Sequence, residues 1–242
     1  MTMNLAVFKI GGKILDNSKN LINTIAQLTQ LFVDKVIKKL ILIPGGGLLA
    51  NFVRSMYREF KFNDDLAHWI AIYSMDYNGI ELKRKFPHLK LCDNYEKLEQ
   101  EYRGMFIFLP YKYLKKSEEL PHSWDVTSDS ISLYLTIKFG SNQCFLIKDV
   151  EGILDSNQNV IKEISSIEFV QFKKEGKIED IYSKDLELKD KTRPIDPYLI
   201  TLIDKYKIPC IILNGANPEP RIYNYFIFPN LRDKIFTKLY SI

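Results

Sequence analysis

The stretch richest in reactive side chains is 120–134, Leu-Pro-His-Ser-Trp-Asp-Val-Thr-Ser-Asp-Ser-Ile-Ser-Leu-Tyr. Pro121 opens it as a turn. Thr127 or Ser128 can then cap a helix, with Asp129 close behind. Asp125 and Asp129, with the hydroxyls of Ser123, Thr127, Ser128 and Ser130, crowd that helix entrance. The free N–H groups and partial positive charge of a helix N-terminus suit an anion there. An ordinary well-capped helix would use the same residue types.

Three strand ends decide between those readings. Lys9 lies in an otherwise apolar run, 5–10, and an unpaired charge in a buried strand is costly, so it must leave the core or meet an anion. Gly11 and Gly12 follow at once. A second apolar run, 40–43, ends in Pro44-Gly45-Gly46-Gly47, and a third, 143–148, ends in Lys148-Asp149 ahead of Gly152. Glycines after a strand let the backbone turn tightly and bring N–H groups close to a ligand. Asp64 or Asn63 can cap a helix over 63–82, where His68 and Asp76 are spaced to share a face. A histidine packed beside Trp69 accounts for that spacing equally well.

The elements that would position these residues alternate. Periodicity predicts helices over 17–39, from Leu48 onward, and from the Asp196-Pro197 cap through Tyr206. Further strands are expected at 89–92, 105–109, 209–213 and 235–239, and a small hairpin at 150–154 and 159–161. The stretch 110–119 reads as a loop, and the charged stretch 168–193 as surface structure or a mobile loop. Strand, glycine turn and helix occur twice in the first fifty residues, which argues for a mostly parallel sheet with helical crossovers. Ligands of such sheets sit beyond the carboxyl ends of the strands, where the glycine turns fall. Neither G-x-x-x-x-G-K-[ST] nor G-x-G-x-x-G is present, which excludes a standard P-loop or dinucleotide fingerprint.

The 242 residues suit one large α/β domain, or two closely joined halves, and 46% apolar residues can build its core. Thirty-four bases against 30 acids leave a charge of only +4 with no basic block, so no nucleic-acid partner is expected. No apolar run is long enough to span a bilayer, no signal peptide is read at the start, and no membrane partner is expected. Cys92, Cys144 and Cys210 read as reduced core thiols of a cytoplasmic protein, neither a disulfide frame nor a metal site.

Lys9-Ile10-Gly11-Gly12, Pro44-Gly45-Gly46-Gly47, Asp125-Val-Thr-Ser-Asp129 and Lys148-Asp149-Val150-Glu151-Gly152-Ile153, in that order, resemble the amino acid kinase superfamily. Phe236-Thr237-Lys238-Leu239 looks like its final strand. Within the family, 67–71 with Met75-Asp76, 121–130 and 195–198 resemble the small archaeal-type kinases of methanofuran biosynthesis, which phosphorylate aminomethylfuran-methyl phosphate to the diphosphate. The resemblance implies a three-layer α/β/α sandwich around a mainly parallel sheet, carbamate kinase-like. It implies an acceptor-binding half at about 1–120 and a nucleotide-binding half at about 121–242. It further implies ATP and Mg²⁺ as cofactors, no metal held by protein ligands, a small-molecule phosphate acceptor and a homo-oligomer.

By the same resemblance, Lys9 and Asp129 are catalytic. Gly11, Gly12, Lys148, Asp149 and Gly152 border the nucleotide. Gly45, Gly46, Gly47, His68, Asp125 and Ser128 face the acceptor. Three departures stand out: Lys13 replaces a small residue, Glu151 stands where Asp is commoner, and the second lysine of a Gly-Gly-Met-x-x-Lys segment is missing, with Lys189, Lys191 and Arg193 in its region. The alternatives are a kinase of the same fold for isopentenyl phosphate, UMP or an acyl carboxylate, and a nucleotide-binding protein without catalysis.

Overall fold

A computed structural model describes residues 2–178, 181–182, 191–192 and 194–242. The chain begins with β1 (Met3–Ile10), α1 (Gly12–Leu15), α2 (Ser18–Val33), β2 (Ile37–Pro44), α3 (Gly47–Phe60) and α4 (Asp64–Lys85). It continues through β3 (Lys90–Cys92), α5 (Tyr95–Gln100), β4 (Gly104–Phe108), α6 (Tyr111–Ser117), α7 (Ser128–Lys138) and β5 (Cys144–Lys148). Then follow β6 (Glu163–Ser165), α8 (Ser166–Lys174), the short strands β7 (Ile181–Tyr182) and β8 (Lys191–Thr192), α9 (Pro197–Tyr206), β9 (Cys210–Asn214), α10 (Arg221–Ile227) and β10 (Thr237–Tyr240).

Eight strands form one sheet in the order β3-β4-β2-β1-β5-β9-β10-β6. β10 runs antiparallel to β9 and parallel to β6; the other neighbours are parallel. Side chains alternate across a strand, so each strand feeds two cores. Val7, Ile41, Leu146 and Ile212 meet α4, α7 and α9 on one face. Phe8, Leu42, Phe145 and Ile211 meet α2 and α10 on the other. This is the three-layer α/β/α sandwich expected, with its central strands buried on both faces as parallel sheets require. Cys144 and Cys210 are register partners in β5 and β9, both buried and free, and Cys92 is half-buried and free. No helix among the described residues is long and apolar enough to cross a membrane.

Three expectations are corrected. The helix read over 17–39 ends at Val33; Lys35 turns the chain at φ 58°, and 37–39 belong to β2, where the β-branched Val36-Ile37 favours extension. The loop read at 110–119 contains α6, whose apolar side chains Tyr111 and Leu114 pack inward while its lysines face out. Of the stretch read at 168–193 as surface structure or a mobile loop, residues 168–174 are surface helix: Ser165 and Glu168 make a reciprocal capping box, and Phe169 is buried. The expected hairpin is a single antiparallel bridge, Leu154 with Val160.

Candidate active site

Lys9 shares parity with Val7 on β1, and Lys148 shares parity with Leu146 on the adjacent strand β5, so both lysines point to the α7 face. The first turn of α7 delivers Asp129 between them. Lys9 Nζ lies 2.8 Å from Asp129 Oδ1, and Lys148 Nζ donates to Oδ2 at 2.7 Å. All three side chains are buried or nearly so. Burial lowers the Lys9 pKa, and the Lys148 charge lowers it further, although Asp129 opposes both. Burial would raise the Asp129 pKa, but Lys148 and Lys9 overturn that and hold its carboxyl well below the usual carboxylate range. Two lysines therefore face one carboxylate at the carboxyl ends of β1 and β5.

A second carboxylate, Asp196, sits directly behind this group and was not picked out as a site residue. It caps α9 by accepting from Leu199 N–H at 2.9 Å. It also accepts from Thr127 N–H (3.1 Å), Thr127 Oγ1 (2.7 Å), Ser130 N–H (2.9 Å) and Ser130 Oγ. One buried side chain thus fastens the first turn of α7, and with it Asp129, to the start of α9. Burial raises its pKa, and the neighbouring Asp129 charge adds to that. The Asp-Pro cap was visible in the sequence, but its partners 66 to 69 residues away were not.

The two glycine turns meet beside the lysines. Gly11 N–H donates to Ile147 O, and Gly45 N–H to Ile10 O, both at 2.8 Å. A Cβ on Gly12 would lie 2.9 Å from Gly47 Cα, closer than real Cβ atoms come, and Gly47 has φ 56°. Gly46 packs on α4 near Ala71 O, and Asn78 of α4 donates to Gly45 O at 2.7 Å. Asn78 had no sequence signal. Asp16 approaches the same turn: its Oδ1 accepts weakly from Leu48 N–H at 3.4 Å, and burial raises its pKa.

The structure therefore brings together Lys9, Gly11, Gly12, Gly45, Gly46, Gly47, Asp129 and Lys148. Asp149 sits at the rim, 3.4 Å from half-exposed Lys13. Gly152 (φ 154°) packs instead on Thr237, whose Oγ1 accepts from Ile153 N–H and donates to Ile161 O. Glu151 pairs with Arg221 at 3.3 Å and accepts from Asn217. Ser128 lies in the first turn of α7, and Asp125 is exposed just before it. Lys189 and Arg193 lie outside the described residues, as does the side chain of Lys191.

His68 belongs to a separate cluster on α4, ten residues and so about 15 Å along the helix from Asn78. Its ring stacks on His122 at 4.8 Å and meets Trp69 edge-on at 5.2 Å; Trp69 also meets His122 edge-on at 4.8 Å. Asp65 accepts from Trp69 Nε1 at 3.0 Å and pairs with His122. Burial, reinforced by His122, lowers the His68 pKa to about 4, so His68 is neutral at pH 7. Asp76, buried on the same helix face and accepting from Tyr111 N–H at 3.1 Å, has its pKa raised by burial to about 6.

The sequence pattern of the amino acid kinase family matches residues 4–214. The chain belongs to the amino acid kinase family. It is 29% identical over 225 residues to the (5-(aminomethyl)furan-3-yl)methyl phosphate kinase of Methanocaldococcus jannaschii, covering 88% of this chain and 89% of that protein. Among solved structures, the UMP kinase of Ureaplasma parvum superposes with a TM-score of 0.66 at 17% identity, with both chains covered in full. The aspartate kinase of Synechocystis gives 0.62 at 13% identity, over 98% of this chain and 40% of that one. The family is one of phosphotransferases, and this amino acid kinase family member is a kinase.

Proposed function

We propose that the protein transfers the γ-phosphoryl group of ATP to a small phosphate monoester, aminomethylfuran-methyl phosphate, and so forms a diphosphate. The observation that carries this reading is the buried group of two lysines on one carboxylate, Lys9–Asp129–Lys148, beside two glycine turns. A lysine without a carboxylate of its own in that place calls for an anion. Phosphoryl transfer needs in-line positioning and cations against developing charge, with little covalent chemistry from the protein.

In this reading an acceptor phosphate oxygen attacks the γ-phosphorus, the bond to the β-phosphate oxygen breaks, and ADP leaves. Lys9 lies against the transferred group. Asp129 holds Lys9 and Lys148 in place by their shared ion pairs. Lys148 takes the part that the resemblance gave to a lysine elsewhere in the chain. Gly11, Gly12 and Asp149 border the nucleotide in the half beyond about residue 121 and at the turn after β1, and Gly152 acts behind them by its packing on Thr237. Gly45, Gly46, Gly47 and Ser128 serve the acceptor, whereas His68, held in its separate ring cluster, and exposed Asp125 drop out of that role. Among the described residues no group of three His, Cys, Asp or Glu is placed to hold a metal ion. Mg²⁺ fits here on the nucleotide phosphates, where it would offset their charge.

The deciding experiment measures ADP release with Mg²⁺-ATP and a panel of aminomethylfuran-methyl phosphate, isopentenyl phosphate, UMP, acetylglutamate and carbamate. Turnover on the furan phosphate far above the rest is expected. Turnover on a different acceptor would overturn the substrate, and silence across the panel with ATP bound would overturn catalysis.

A further inference from the structure

Lys13 follows the first glycine turn directly, where the family resemblance expects a small residue. The turn decides where its side chain is carried. Gly11 is pressed so close to β5 that a Cβ on it would lie 2.7 Å from Ile147 O and 3.7 Å from Lys148 Cα, and its N–H donates to that same Ile147 O. Ile14, the next residue after Lys13, is fully buried and anchors α1 from beneath. Lys13 is therefore held at the exit of β5, and its ammonium lies 3.4 Å from Asp149 Oδ2. Its side chain is 43% exposed and that of Asp149 33%.

Three lysines thus reach the carboxyl ends of β1 and β5 on different terms. Lys9 and Lys148 are buried and tied to the two oxygens of Asp129, at 2.8 and 2.7 Å. Strand register and those ion pairs fix them, so they cannot follow a group that changes position during a reaction. Lys13 is a compact charge on a flexible four-carbon stem, with solvent on one side. Its pair with Asp149 is long and half-exposed, and such pairs are worth little. Exchanging that carboxylate for a phosphate costs correspondingly little, because a terminal phosphate offers more charge and three strong acceptor oxygens.

We propose that Lys13 is a phosphate-binding residue of this site, whose ammonium rests on Asp149 and moves onto the terminal phosphate of the nucleotide when that group enters beside Lys9. The proposal rests on the reading of these strand ends as the nucleotide phosphate site. It adds to that reading a cation that travels with the phosphoryl group, while Lys9 and Lys148 stay in place. It also gives Asp149 a task at the rim: it keeps the lysine poised over the strand ends.

Calorimetric titration of the full chain with Mg²⁺-ATP, Mg²⁺-ADP and AMP, with no acceptor present, tests this. Lys13→Ser should weaken ATP by about tenfold, the scale of one hydrogen bond to a charged group. It should weaken ADP clearly less and leave AMP unchanged. Its melting temperature should stay that of the parent, since only an exposed pair is lost. Lys13→Arg, which keeps the charge, should restore most of the lost ATP affinity. Equal ATP affinities in parent and Lys13→Ser would overturn the assignment, as would equal losses for all three nucleotides, which a merely structural lysine would give. A parent that binds none of the three would overturn the nucleotide reading beneath it.

Discussion

The two ends of the α7 face are built on opposite plans. Around Asp129, each charged atom is placed by main chain: two lysines by strand register, one carboxylate by a capped helix turn. Around His68, the partners are side chains from α4 and from the 121–124 turn, held by ring stacking. In the same turn Trp124 packs on Tyr57, with the Arg54 guanidinium 5.0 Å from its centroid, and Lys115 lies 4.2 Å over Trp69. Backbone placement fixes a geometry that tolerates no substitute. Side-chain assembly fixes an environment, here one that shifts two titratable groups in opposite directions.

That contrast breaks most sharply at Lys9. Lys9→Met should lower turnover by about 10²–10³-fold or more, the scale seen when one group that stabilises transition-state charge is lost. A rate within about tenfold of the parent in the same ADP-release assay would remove Lys9 from the chemistry. Asp196 sharpens the same side without touching substrate. Asp196→Asn turns an amide toward donors it cannot accept from, so it should lower stability by about 1–3 kcal/mol. As a positioning residue it should also lower kcat while leaving the KM for ATP within a few-fold. Equal losses in kcat and KM, or lost stability alone, would make it a structural cap only.

The ring end should answer in its pH dependence. His68 titrates near 4 when folded and near 6.5 when unfolded, so below 6.5 the unfolded chain takes up the proton first. Its contribution to stability is therefore lost as pH falls from 6.5 toward 4. Asp76 titrates near 6 when folded against 3.8 unfolded, so its contribution is lost as pH rises across nearly the same window. Urea unfolding from pH 4 to 7 should show the slope with pH falling in His68→Gln and rising in Asp76→Asn, relative to the parent. The smallest effect is Asp76→Asn at pH 7, a gain of about 1–2 kcal/mol, because the amide oxygen can still accept from Tyr111 N–H while the buried charge is gone. A destabilised Asp76→Asn would mean that the carboxylate has a partner beyond Tyr111.

The sequence exposes the backbone-built end and hides the other for the same reason. A lysine in an apolar run and glycines at a strand exit are local signals, and Lys9, Lys148 and both turns could be found from them. Asp129 stood out as one of several caps. That Lys148, read as a nucleotide border, shares Asp129 with Lys9 depends on the pairing of β1 with β5, which no local pattern states. Asp196 was visible as a cap for α9 and invisible as a clasp on α7. α6 was hidden because Lys112, Lys115, Lys116 and the charged residues after it dominate a stretch whose inward side chains are few. The helix–strand boundary at 34–37 was missed because apolar spacing ran on through it.

β10 gives the fold an order of assembly in time. It lies between β9 and β6, and its contact with β6 spans 75 residues of sequence, Lys238 against Glu163. Among the described residues β6 has no other strand neighbour. Thr237 also closes the turn behind Lys148 by accepting from Ile153 N–H and donating to Ile161 O. During synthesis, β1 to β4 can pair as soon as residue 108 has been made, whereas the edge beyond β9 must wait for residue 240. Contacts so far apart in the chain form late. A ribosome paused in this last stretch would hold a nascent chain with its first strands zipped and one flank of its sheet open, the state in which an unpaired strand edge is most exposed to other chains.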